Sequence, residues 1–335
     1  MAEKLDEIFE MYGLCVNQLT RGRGTTILKT EEGLFQLKPL LVNESRIVAE
    51  YKFKGALSDY GFACIDSVIP DNENNLVTYD RYGNQYVLRS YFDGRELNIR
   101  NREEIGLAVT NLAKFHIASA KVFFETERDV HVRPSIEFNR RNKEIKRVKN
   151  FMQRQKSKRD FELKYLDEFD YFYSQAIRCE EAYREFEKNN LDDGIAEAER
   201  KYLGYCHGQY NHHALLVNSG TVFTTGFDRF YVGNQLADLY HFLRKTLEKN
   251  DYREDIMKYI LDGYNELRPL DRWGLEYIYM LYSYPEKYYK ISNQYISLSK
   301  NWISPKMLEK LEKIRFDESK KLDMLNALKR YSSHF

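Results

Sequence analysis

No run of about 18 consecutive apolar residues occurs in this 335-residue chain, so no membrane span is expected. The start, Met1-Ala-Glu-Lys-Leu-Asp-Glu7, carries charges where a signal peptide would have an apolar core. Cysteine is scarce: Cys15, Cys64, Cys179 and Cys206 lie far apart and form no C-x-x-C pair. That argues against a disulfide framework and reads as reduced thiols of an intracellular product. Charge of one sign is also missing, since 52 Lys+Arg stand against 51 Asp+Glu. Nothing global therefore pulls the chain toward a polyanion or a membrane surface. Repeats and low-complexity tracts are absent as well.

What the chain has in quantity is aromatic residues, with 27 Tyr and 20 Phe. Tyr282, Tyr284, Tyr288, Tyr289 and Tyr295 crowd one stretch. Two readings stand open: a Tyr-rich helical core, or an interaction surface with one end of each ring dry and the other wet. The length allows two domains, or one large domain of two lobes, with about 75% of the unfolded surface hidden.

The first ninety residues read as a small sheet with one helix. Thr25–Thr30 and Leu34–Leu40 flank Glu31-Glu32-Gly33 as a hairpin. Asn43 caps a helix to about Tyr60 with Ile47, Tyr51 and Leu57 on its apolar stripe, and Gly61 closes it. A strand over Ala63–Val68 and paired strands Leu76–Tyr79 and Gln85–Phe92 follow. After Asp93-Gly94 the texture turns helical. Arg102–Ser119 places Ile105, Val109, Leu112 and Phe115 on one face, and Asn139–Asn190 suggests a helical hairpin broken near Ser157. Ten Lys/Arg face one acidic residue between Asn139 and Arg159, a solvated face or a phosphate- or polymer-binding one. Ala214–Asn218 and Val222–Phe227 form a β island, and Pro269, Pro285 and Pro305 break the helices that follow.

Several residues suggest chemistry. Lys38 lies on an apolar strand, Leu34-Phe-Gln-Leu-Lys-Pro39, where a lysine could reach nucleotide phosphates, and Glu50 on the next helix could hold it as an ion pair. Gly22-Arg23-Gly24 before the hairpin could form a phosphate-covering turn. Cys206, His207, His212 and His213 offer four zinc-type ligands in eight residues, without a zinc-site spacing.

The stretch Cys206-His-Gly-Gln-Tyr-Asn-His-His-Ala-Leu-Leu216, followed by Thr225-Gly-Phe-Asp-Arg229, is the most specific. It resembles H-G-D-x-H-x-x-N-x-L followed by I-D-[FW] of the aminoglycoside phosphotransferase and choline kinase superfamily. Leu112-Ala-Lys-Phe-His116 resembles that superfamily's L-A-x-L-H helix, Arg89–Leu97 its linker between lobes, and Asp238-Leu239 the start of its next helix. Tyr210-Asn211, His213, Phe227-Asp-Arg229 and Asp238-Leu-Tyr-His-Phe-Leu-Arg-Lys245 narrow the likeness to CotS-type spore-coat proteins, whose tail Tyr284-Pro-Glu-Lys-Tyr-Tyr289 and Lys300-Asn-Trp302 resemble. The resemblance implies an α+β, two-lobed protein-kinase-like fold. A small β-sheet N-lobe is expected over 1–92, and a larger, mainly helical C-lobe over 93–335 with the catalytic-loop-like segment at 205–230.

Three departures matter for chemistry. The family's loop Asp, the base, is here Gln209, and an amide cannot take up a proton near neutral pH. The metal-binding Asn falls at Ala214 and the metal-binding Asp of I-D-[FW] at Gly226. Asp228 is a candidate substitute metal ligand, because i and i+2 share a face in a strand. His207 is expected to order the loop by bonding to backbone or to the structural Asp238, and His116 to be a packed helix residue.

The expectation is a pseudokinase with a structural or binding role in the endospore coat, made in the cytoplasm and then placed in the coat. Its expected partners are other coat proteins and a small molecule or nucleotide in the interlobe cleft; neither membrane nor nucleic acid is expected. No cofactor is expected, with ATP and magnesium entering only if residual activity is retained. The alternative is an active ATP-dependent small-molecule phosphotransferase.

Overall fold

The computed structural model describes residues 5–122, 133–189, 197–297 and 304–334. The expected tail signature at Lys300–Trp302 lies outside the described residues. In chain order the first part runs α1 (Asp6–Met11), β1 (Val16–Gly22), β2 (Thr25–Thr30), β3 (Gly33–Pro39), α2 (Glu44–Asp59), β4 (Val68–Ile69), β5 (Thr78–Tyr79), β6 (Gln85–Tyr91), β7 (Arg95–Glu96) and α3 (Arg102–Ser119). It continues with α4 (Pro134–Gln153), α5 (Asp160–Asn189), α6 (Glu197–Arg200), β8 (Leu203–Cys206), β9 (Leu215–Asn218), β10 (Thr221–Thr224) and β11 (Tyr231–Asn234). The helices α7 (Leu236–Leu247), α8 (Glu254–Asn265), α9 (Arg272–Ser283), α10 (Glu286–Ser297) and α11 (Pro305–Ser332) complete it. This is the α+β class expected, with a small antiparallel sheet near the N-terminus and a larger helical part.

The chain packs as two compact units. One gathers Met1–Asp129, Gly204–Phe242 and Glu266–Arg268; the other gathers Val130–Leu203, Leu243–Asn265 and Pro269–Phe335. The sheet, α3 and the loop after β8 thus belong to one unit, whereas the change of texture in the sequence suggested a division after residue 92.

In the first unit the sheet has the order β1-β2-β3-β6-β4, with β5 also on β6. Ile8 and Phe9 of α1, with Tyr12 just after it, pack with Leu28, Leu37 and Leu88 of the strands. The α2 helix buries Ile47, Glu50, Phe53, Lys54 and Leu57. Tyr51, expected on that stripe, is 46% exposed instead. Two charged residues take buried positions here, so a search for apolar spacing misreads the face. On α3 the four expected residues Ile105, Val109, Leu112 and Phe115 are all buried, and the Asn101 side chain caps the helix by accepting from the N–H groups of Glu103 and Glu104. Phe53 stacks on Phe230 with centroids 5.4 Å apart and meets Phe115 and Phe227 edge-on, tying α2 and α3 to the segment after β10.

The expected strand over Ala63–Val68 is not formed as such. Cys64 and Asp66 bond to Thr224 around a single bridge at Ile65, and only Val68–Ile69 joins the sheet. The reason is a change of partner: the chain passes from β10 to β6 within six residues.

In the second unit α4 and α5 form the expected hairpin, broken between Gln153 and Asp160. The tyrosine stretch is core, with Tyr282, Tyr284, Tyr288, Tyr289 and Tyr295 all buried. Three of them bond their hydroxyls inside: Tyr284 donates to Asn142 Oδ1 at 2.9 Å, Tyr288 to the Tyr165 carbonyl at 3.1 Å and Tyr289 to Glu144 at 2.9 Å. On α4, Arg140 and Arg141 pair with Glu137 and Arg141 also with Glu286, while Lys143, Lys146, Arg147 and Arg154 are exposed. Among the described residues no helix is long and apolar enough to cross a membrane.

Candidate functional site

The loop after β8 is built on Asp238. Its carboxylate accepts from the backbone N–H of His207 at 2.6 Å and of Gly208 at 3.0 Å, and the His116 ring lies 3.5 Å away. The His207 ring is fixed at both nitrogens. Nδ1 accepts from the Gln209 N–H at 3.2 Å, and Nε2 donates to the Thr225 carbonyl at 2.9 Å, which sets a neutral tautomer. His207 is thus bonded to the backbone of Gln209 and Thr225, and Asp238 accepts from the loop backbone. His116 is fully buried on α3, as a packed helix residue.

Both imidazoles are held neutral. Burial pushes the His116 pKa well below the ordinary value, helped by Arg268 and His207, and burial also lowers His207 against the opposing pull of Asp238. Burial raises Asp238 in turn, against its backbone donors. The histidine shifts have a defined sign. Below about pH 6.5 the unfolded chain protonates histidines that the folded chain keeps neutral, so stability falls as the pH drops. Urea unfolding should show stability falling as the pH drops from about 7 to about 5.5, because the unfolded histidines take up protons that the buried His116 and His207 resist. A stability that is flat over this interval contradicts the neutral pair.

Gly208 has φ +80°, and a Cβ there would lie 2.0 Å from the Arg229 carbonyl oxygen. The loop is thus pressed against the segment after β10. Gln209, at the position expected for the base, turns its amide oxygen to Arg229 and accepts from Nη1 and Nε at 3.2 Å each. Ala214 presents a buried methyl group, and its carbonyl accepts from the Thr225 N–H at 2.8 Å. Gly226 has φ +78° and leads into a short 3-10 turn, Phe227–Arg229. Asp228 sits on that turn. The strand register imagined for it from the sequence is absent, and the turn itself delivers the side chain to the sheet.

There the sheet supplies two cations. Lys38 on β3 pairs with Val87 on β6, and Arg89 lies two residues further along β6, so the two share a face. The sequence pairs Lys38 with Glu50; the structure does not. Lys38 bonds to Asp228 Oδ2, and Arg89 Nη2 lies 3.5 Å from Asp228 Oδ1. Glu50 receives the Arg89 fork, Nε and Nη2 at 2.9 Å each, together with Lys54 Nζ at 2.5 Å. Lys54 also reaches Asp66 at 2.7 Å, and the Gly226 N–H points at the other Asp66 oxygen from 3.5 Å. Burial alone would raise the Glu50 pKa, yet Lys54 and Arg89 outweigh it and hold the carboxyl down to about 2. Three cations and three carboxylates therefore alternate from Lys38 to Asp66. Sequence reading missed Lys54, Asp66 and Arg89. The usable signals were the i,i+4 spacing of Glu50 and Lys54 and a lone arginine in the apolar run Tyr86-Val-Leu-Arg-Ser90.

Gly22 ends β1, paired with Thr25, and Gly24 lies in the β1–β2 turn at φ +65°. The arginine between them is engaged by protein groups. Arg23 Nη1 donates to His213 Nε2 at 3.0 Å and Nε pairs with Glu96 at 3.2 Å, while His213 Nδ1 donates to Glu96 at 3.0 Å. The zinc reading finds no convergence: His207 bonds to Thr225, His213 to Glu96 and Arg23, and the Cys206 thiol lies 3.9 Å from the Gly204 carbonyl. Among the described residues no group of three or more His, Cys, Asp or Glu is arranged to hold a metal ion.

Magnesium with nucleotide, the cofactor the fold implies, does not fit the groups present. Positions 209, 214 and 226 offer no carboxylate, and both Asp228 oxygens face cations.

A family model described as "Spore coat putative kinase YutH" matches residues 5–328. The chain matches no curated protein sequence. Among solved structures it is similar to an aminoglycoside phosphotransferase from Alicyclobacillus acidocaldarius, at 17% identity and TM-score 0.81, over 97% of this chain and 95% of that one. A spectinomycin phosphotransferase aligns at 14% identity and TM-score 0.71, over 98% of each chain. A choline kinase from Streptococcus pneumoniae aligns at 11% identity and TM-score 0.54, over 94% of this chain and 97% of that one. These likenesses bear out the kinase-like fold, and the family model bears out the CotS-type resemblance.

Proposed function

The chain belongs to the YutH family of kinase-like spore-coat proteins, and from that premise we propose that it is a pseudokinase, a structural or binding component of the endospore coat. The observation that carries the reading is the contrast within one loop. The frame around Asp238, His207 and Gly208 is intact, while Gln209, Ala214 and Gly226 stand where proton and metal would be handled. An active phosphotransferase would need Asp228 to release both of its cations and would still have an amide at the base position. Loss of one such group can be offset by positioning and electrostatics; loss of three leaves little to offset with.

The partners that fit this reading are other coat proteins, with the chain made in the cytoplasm and then built into the coat. Incubation of the purified chain with magnesium-ATP and hydroxyl- or amine-bearing acceptors is expected to give no ADP above the buffer rate. Sustained ADP formation would overturn the non-catalytic reading. Fractionation should find the protein in the outer layers of purified spores and not in vegetative cells; a soluble pool in growing cells would refute the coat assignment.

A further inference from the structure

We propose that the Asp228 carboxylate occupies the place where Lys38 would otherwise hold a phosphate, so that the chain closes its own anion site with an internal plug. The inference rests on the non-catalytic reading above and deepens it by naming what fills the site.

A lysine on the third strand of a kinase sheet grips nucleotide phosphates as a point charge. Here that lysine grips Asp228, and Arg89 approaches the second carboxylate oxygen at 3.5 Å. A carboxylate presents two oxygens to an ammonium and a guanidinium much as one edge of a phosphate does. The turn that carries Asp228 is held from outside the pair: Arg46 donates to the carbonyls of Asp228, at 3.0 Å, and of Phe230. The Arg46 guanidinium also lies 5.0 Å from the centre of the Phe230 ring, which stacks on Phe53.

Charge completes the argument. Lys38, Arg89 and Lys54 are matched by Asp228, Glu50 and Asp66, so the two cations that would receive an incoming phosphate already hold a carboxylate. A phosphate would also meet the Asp228 carboxylate, with Ala214 and Gly226 standing where ligands would place a cation between them. The Lys38 and Asp228 side chains are 25% and 32% exposed, so solvent reaches the pair. Pairing, and not burial, shuts the site.

The test is calorimetric titration of inorganic pyrophosphate into the full chain, first in EDTA and then with magnesium. Asp228→Asn keeps the shape and removes the charge. It is expected to bind pyrophosphate at least about ten-fold more tightly than wild type, a difference of about 1.4 kcal/mol. The double variant Asp228→Asn/Lys38→Ala should lose that gain. Equal affinity of wild type and Asp228→Asn overturns the proposal. So does wild-type binding that requires magnesium and weakens in Asp228→Asn, because Asp228 would then be a metal ligand. Asp228→Ser serves as a second neutral variant. If both melt early, millimolar pyrophosphate should raise their melting temperatures toward wild type by replacing the lost anion, and no rise counts against the plug. Failure here, with no ADP formed by wild type, removes the plug and leaves the pseudokinase reading standing. ADP formation removes that reading whatever pyrophosphate does.

Discussion

Glu50→Ala is expected to cost about 3–5 kcal/mol of folding stability, the largest effect of any single change at the site. Glu50 is 1% exposed and accepts from Arg89 twice and from Lys54 once. Its removal leaves a guanidinium and an ammonium buried, with Lys54 keeping Asp66 and Arg89 keeping only the longer contact to Asp228. Glu50→Gln should cost nearly as much, since the neutral amide fills the space without cancelling the charge. The double variant Glu50→Ala/Arg89→Met should lose clearly less than the two single losses added together. Urea unfolding at pH 7 of wild type, the three single variants and the double variant measures all of these losses. A Glu50→Ala loss below about 1 kcal/mol would mean that water reaches the network.

Gly208→Ala is expected to cost about 2–5 kcal/mol, by two separable effects. The left-handed backbone at φ +80° penalises any Cβ by about 1–2 kcal/mol. Overpacking adds about 1–3 kcal/mol, because the new methyl would lie 2.0 Å from the Arg229 carbonyl oxygen, a backbone atom that cannot rotate away. Gly226→Ala supplies the control. Its φ is nearly the same, +78°, but nothing lies within 4 Å of the added carbon, so only the backbone penalty should appear. The difference between the two variants in thermal or urea unfolding isolates the close approach of the loop to Arg229. Equal losses would place that approach in error.

Long periodic elements could be read from the sequence, and the reason is geometric. The α3 face and the α4–α5 hairpin each repeat a spacing over enough residues to stand out, and the turn at Gly33 is marked by its glycine between two β-prone runs. The two-residue strands β4 and β7 do not stand out, and α1 and β1 carry no strong alternation, whereas β5 lies within the strand expected at Leu76–Tyr79 and pairs with β6. At the site, the loop frame was legible because His207, Gly208 and Asp238 keep a motif. The pairing was not. Whether Lys38 meets Glu50 or Asp228 depends on strand register, on the placement of Arg89 two residues from Val87 and on a 3-10 turn after Gly226, and none of these follows from residue type. The tyrosine stretch shows the converse: composition alone left core and surface open, and the hydroxyl partners inside the second unit decide for core.

Titrating ATP into the intact wild-type chain, with magnesium and then with EDTA, measures whether the site handles a metal–nucleotide pair at all. The account predicts weak binding or none in both conditions, with no gain from magnesium and no matching rise in melting temperature. Tight binding that appears only with magnesium, accompanied by ADP production, would contradict it.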